Sequence, residues 1–271
     1  MTNQPTATGM LAERMRSWLD GLQGPPSIAG MESVLRLLAK WRTQVLANTY
    51  LQQCGPTVLQ GPFEGMAYVA NATEGALLPR LIGCYESGLH PHLLAFATEG
   101  LDCVIDIGCA EGYYAVGLAR LLPDATVYAH DLSEAARASC RTLAAANGVA
   151  DRVVVGGEFM PADFEAFGDR RILVIVDVEG AELDVLRPDL SPALASMRLI
   201  VETHDVYRPG ALETLTARFA PTHDIVRVDA QPTPFRMPPF LQRLGHLDQL
   251  LATWEWREQP TPWLVMTPRP D

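Results

Sequence analysis

The sequence predicts an α/β fold built on a doubly wound, mostly parallel sheet. Three observations carry this. Short apolar runs of strand length at 103–107, 126–130, 152–155, 171–176 and 198–201 alternate with stretches of helical periodicity. A small-residue turn, Gly108-Cys109-Ala110-Glu111-Gly112, leads from the first run into a helix with Tyr113, Val116, Leu118 and Ala119 at helical spacing. Each run also closes on an acid: Asp106, Asp131, Glu158, Asp177 and Glu202.

In chain order, residues 9–53 read as two helices. Met10, Leu11, Met15, Trp18 and Leu19 form one apolar stripe, Gly24-Pro25-Pro26 breaks it, and a second helix follows Ser27. Residues 57–70 read as two short strands around Gly61-Pro62, and a helix is expected near 91–98. The strands listed above then alternate with helices at 112–122, 134–146 and 210–219. The second of these is opened by a cap at Ser133 and closed by Asn147-Gly148. Further strands are expected at 224–228 and 263–267, which makes seven. The division that follows is a helical extension with a short hairpin at 1–84 and a main domain at 85–271. Within the latter, the Pro- and Trp-containing stretch 231–260 is too long for a simple connection and reads as an insertion.

At 271 residues and 48% hydrophobic content, one α/β domain with an extension and a sizeable core is expected. A net charge of −11 argues against nucleic acid as a partner, because phosphates need basic patches. Lys40 is the only lysine, so a lysine base is not expected in the core. Five cysteines without a C-x-x-C pair suit a reducing compartment. No run is long enough to span a bilayer, and 1–11 has no secretory pattern, so a cytoplasmic location away from membranes is expected. The apolar stripes of the first two helices suit a cap, a lid or a homodimer contact.

The glycine turn fixes the ligand class. A dinucleotide site wants G-x-G-x-x-G, but Ala110 stands where the middle glycine would be. Asp106 and Glu111 would repel a pyrophosphate, whereas a cationic ligand without phosphate is welcome. The pattern D-x-G-C-x-x-G resembles the first motif of the class I S-adenosylmethionine (SAM) dependent methyltransferases. That resemblance implies a Rossmann-like seven-stranded methyltransferase sheet and SAM as cofactor. The candidate cofactor residues are Asp106, Gly108, Cys109 and Ala110 in the turn, and Asp131 for the ribose diol. Leu132, Glu158 and Phe159 are candidates to lie around the adenine. Glu86 and Asp177 are candidates for the amino or ribose groups.

A second stretch is more specific. Asp177-Val178-Glu179-Gly180-Ala181-Glu182, followed by Val185-Leu186, resembles the signature of the FkbM methyltransferases. The similarity covers about 85–205. It implies O-methylation of a hydroxyl on a small molecule or sugar and leaves the acceptor itself open.

Methyl transfer to an alcohol needs alignment and a way to remove a proton. Two devices are open to this chain. His204, just past the fifth run, is the candidate general base, with Glu179 orienting the acceptor. Alternatively Asp177 and Glu202, at the ends of adjacent strands about 4.8 Å apart, join His204 around Mg²⁺ or Mn²⁺. An NAD(P)-dependent oxidoreductase and a non-catalytic SAM-fold binding protein are the alternatives outside this class.

Overall fold

The described residues of the computed structural model are 7–22, 24–68, 76–168, 170–230, 235–257 and 259–270. The apolar runs become seven strands: β1 (Cys103–Ile107), β2 (Thr126–His130), β3 (Val153–Gly156), β4 (Ile172–Val176), β5 (Arg198–Glu202), β6 (His223–Val228) and β7 (Trp263–Pro268). They form one sheet in the order β3-β2-β1-β4-β5-β7-β6. The first five are parallel, and β7 runs antiparallel to both β5 and β6. β1 and β4 are buried at every position, which is why they read as unbroken apolar runs. Strand order reverses between β1 and β4, so a crevice lies beyond their carboxyl ends.

The helices are α1 (Ala7–Asp20), α2 (Ile28–Cys54), α3 (Leu77–Ile82), α4 (His90–Ala97), α5 (Tyr113–Leu121), α6 (Glu134–Ala146), α7 (Glu182–Val185), α8 (Ala211–Phe219), α9 (Pro239–Gln242) and α10 (His246–Thr253). Two apolar clusters bury the sheet. One joins it to α2–α6 and the stretch after β6, and the other joins it to α7 and α8. The expected cap at Ser133 forms, its Oγ accepting from the Ala136 N–H at 3.3 Å, and Ser27 Oγ likewise caps α2, accepting from the Gly30 N–H at 3.1 Å. Among the described residues no helix is long and apolar enough to cross a membrane.

One expectation is corrected. The stretch 57–70 makes no hairpin in its described part. It has a single bridge, Thr57 to Ala67, because the Leu59 N–H donates instead to Leu81 and ties the loop to α3. Residues 69 and 70 lie outside the described residues. The described part of the insertion carries α9 and α10. Its Pro232 and Pro234 are outside the described residues. The segment is bound to α2: Arg42 forks onto Asp248 with two bonds of 2.7 Å, and the Trp256 ring N–H donates to Thr43 at 2.9 Å. Helix α2 and the insertion therefore form one cover over the strand ends.

Candidate active site

The site begins at the turn after β1. Gly108 has φ 85°, and a Cβ there would overlap the carbonyl oxygen of Asp177. Gly112 has φ 94°, and its Cβ would meet Cys140 Sγ at 2.7 Å. Both glycines are thus required by protein packing, across β1–β4 and across α5–α6. Ala110 is also left-handed, at φ 46°. Asp131 fastens this bend, accepting from the Ala110 N–H at 2.9 Å and from the Ser133 N–H at 2.7 Å.

A cavity of about 340 Å³ lies over the carboxyl ends of β1, β4 and β5. Asp106, Gly108, Cys109, Ala110, Asp177, Glu179, Glu202 and His204 all border it. Asp106 is 2% exposed, and burial pushes its carboxyl up to about 7. Its Oδ2 has no hydrogen-bond partner among the described residues. A buried acceptor left unmade at the wall of a cavity is costly unless a ligand completes it. The ammonium group of SAM, which donates hydrogen bonds, meets that need, so the residues present fit SAM.

Several other candidates fall outside this wall. Leu132 is 78% exposed, and Glu158 is exposed as well. Phe159 is core: its ring meets His130 and Phe164 edge-on at 4.9 and 4.8 Å. Glu86 is buried behind the cavity, where it accepts from the Tyr114 hydroxyl and from Arg257. Burial and the nearby Glu202 push it up to about 8. Glu111, read as a repulsive charge, is instead buried and paired with Arg80 at 3.3 Å, and the Tyr68 hydroxyl donates to it. Cys109 is a buried spacer, and its hydrogen bond with Cys140, together with burial, holds its thiol protonated.

The fourth and fifth strands supply the polar centre. After β4 the chain bends through Glu179 at φ 50° and Gly180 at φ 104°. This turns Asp177, Glu179 and Glu182 toward the second residue after β5. That residue is His204, which is buried. Its Nδ1 lies 2.5 Å from Glu182 Oε1, which also accepts from the Gly180 N–H at 3.0 Å. Glu182 is fully buried and thereby sets the tautomer of the ring: Nδ1 carries the proton and Nε2 faces the cavity. Around Nε2 stand Glu179 at 3.4 Å, Asp177 at 3.7 Å and Glu202 at 3.7 Å. Burial opposes a charged ring, but the Glu182 bond and the carboxylates of Glu202 and Glu179 overcome it, so the pKa lies above the ordinary histidine value. Tyr207 stacks on the imidazole at 5.9 Å.

Of the proposed metal trio, Glu202 has one oxygen engaged elsewhere, while its Oε2 lies 3.7 Å from His204 Nε2. Glu202 Oε1 accepts from Arg257 and from Thr261, so a buried cation already faces it. The ligand atoms that do converge, all within 4.8 Å of one another, belong to Asp177, Glu179 and His204. Sequence reasoning missed Arg257, Glu182 and Arg80. Glu182 was visible as the acid that closes the Asp177–Glu182 segment. Arg257, beside two tryptophans in the insertion, carried no signal that linked it to β5.

Residues 104–204 match the family described as a methyltransferase domain. No curated protein matches the sequence. Among solved structures, the chain is similar to the O-methyltransferase TomG from Streptomyces achromogenes, involved in tomaymycin synthesis and solved with SAM. Identity is 18%, over 71% of this chain and 83% of that one, with a TM-score of 0.45. It is also similar to an O-methyltransferase from Bacillus cereus solved with S-adenosylhomocysteine (SAH), at 10% identity over 96% and 100% of the two chains, TM-score 0.46. An rRNA methylase from Streptococcus thermophilus aligns at 18% identity over 68% and 97%, TM-score 0.44.

Proposed function

We propose that this chain, which matches a methyltransferase domain over residues 104–204, is a SAM-dependent methyltransferase that methylates a hydroxyl on a small molecule, with His204 as general base. The observation that carries this is the Glu182–His204 pair, which aims Nε2 into the cavity bordered by the glycine turn. The resemblance of the Asp177–Glu182 segment to the FkbM signature supports a hydroxyl acceptor on a natural product or sugar.

SAM supplies an activated methyl group and its own leaving group when bound. Asp106 and Asp177 face its cationic end, and the turn held by Asp131 supports its nucleoside. His204 Nε2 takes the acceptor hydroxyl's proton, which passes no further than the imidazole, and the Glu182 contact at Nδ1 holds the ring in place. Glu179, half-exposed at the cavity edge, orients the acceptor. The cover formed by α2 and the insertion excludes water.

Calorimetry tests the cofactor half. SAH is expected to bind with a Kd on the order of micromolar, and Asp131→Ala is expected to weaken it about tenfold, through loss of both the diol contact and the brace on Ala110. Undiminished affinity in that variant would remove Asp131 from the site. Transfer of labelled methyl groups from SAM into a panel of phenols, catechols and sugars tests the acceptor half.

The convergence of Asp177, Glu179 and His204 favours a second reading, in which they hold Mg²⁺ or Mn²⁺. Such an ion lowers a hydroxyl's pKa and replaces the base. EDTA separates the two: under the metal reading transfer stops and returns with Mg²⁺ or Mn²⁺, and under the base reading the rate is unaffected.

A further inference from the structure

The cavity is bordered by the glycine turn and the acids of β4 and β5, but not by Asp131 or Leu132. The half of SAM that enters it is therefore the methionine end, with the nucleoside extending outward over Asp131. That end carries two cationic groups and one carboxylate. Asp106, Asp177, Glu179 and Glu202 can serve the cations. The carboxylate needs a donor inside an acid-lined wall, where it would otherwise be repelled.

Three basic side chains border the cavity among the described residues: Lys40, Arg80 and Arg257. Arg257 is committed to other acids. Its Nε donates to Glu255 at 2.9 Å, its Nη1 to Glu202 and Thr261, and its Nη2 to Glu86 at 2.5 Å. Lys40 belongs to the cover and lies 5.3 Å from the Trp256 ring. Arg80, on α3, is buried beside the glycine turn. Its guanidinium lies over the Tyr85 ring at 4.3 Å, with Tyr113 at 5.7 Å, and Nη1 is 3.3 Å from Glu111. The rings cover its flat face, while its N–H donors lie in the plane, in the geometry that suits a carboxylate.

We infer that Arg80 recognises the carboxylate of the cofactor's methionine end and selects an intact amino-acid tail. This rests on the cofactor reading above. Glu111 and Tyr68 act as positioning residues, because they hold the guanidinium through Nη1 and through Glu111 respectively.

The test compares SAH with S-adenosyl-3-thiopropylamine, which keeps the ammonium and lacks only the carboxylate. Wild-type protein is expected to prefer SAH by roughly 30-fold, the range of a charged hydrogen-bonded pair. In Arg80→Met the preference should collapse to about unity while the amine binds as before. Arg80→Lys, which keeps a charge in the wall, should retain an intermediate preference and serves if the methionine variant does not fold. Equal binding of the two ligands by the wild type overturns the inference. So does an unchanged preference in either variant, which would give the carboxylate to the backbone amides at the start of α5. Failure of the wild type to bind either ligand would instead sink the cofactor reading.

Discussion

Replacing His204 by glutamine is expected to lower kcat about 10³-fold while leaving SAH affinity unchanged, the effect of removing a positioned general base. Glutamine can still hydrogen-bond Glu182, so the buried carboxylate is not orphaned and the fold is preserved. The pH profile adds a second readout. His204 must be neutral at Nε2 to accept a proton, and its pKa lies above the ordinary histidine value. The rate of the wild type should therefore rise with pH and level off only above that raised value. In the glutamine variant this limb should vanish. A His204→Gln enzyme at near-full rate would refute the base role.

Replacing Gly108 by alanine is expected to cost about 3 kcal/mol or more, the largest stability loss of any single methyl group added to this site. Two penalties combine. The residue sits at φ 85°, where a Cβ is disfavoured by about 1–2 kcal/mol. The added methyl also overlaps the Asp177 carbonyl, a backbone atom that can move only by prising β1 from β4, and overpacking of this kind costs about 1–3 kcal/mol. For a chain of this length the loss corresponds to a fall in Tm of roughly 10 °C. Calorimetric melting checks it. Alanine at Gly148, where φ is 67° but no atom lies within 4 Å of the added Cβ, is the control that isolates the clash.

The contrast between the strands and the site shows what could be read from residue order. β1 and β4 are buried on both faces, so their positions stood out as plain apolar runs. The acids at the strand ends were equally visible, and the structure brings Asp106, Asp177, Glu179 and Glu202 to one cavity. Their partners were not visible. Arg257 reaches Glu202 across 55 positions and Glu86 across 171, distances over which local pattern carries no information. The Glu182–His204 bond spans 22 positions and depends on the bend at Glu179 and Gly180. Glu158 and Phe159 were hard to read for a different reason. An acid or a ring just after a strand can point outward or pack into the core as readily as it can face a crevice. Here Phe159 found aromatic neighbours in the core.

The joint between α2 and the insertion has a temporal meaning. Arg42 and Asp248 are 206 positions apart, and Thr43 and Trp256 are 213 apart. One half of the roof is synthesised 206 positions before the other. A nascent polypeptide can complete the glycine bend and the five parallel strands while the chamber above them still stands open to solvent. Closure of that chamber then waits until Asp248 and Trp256 have been added.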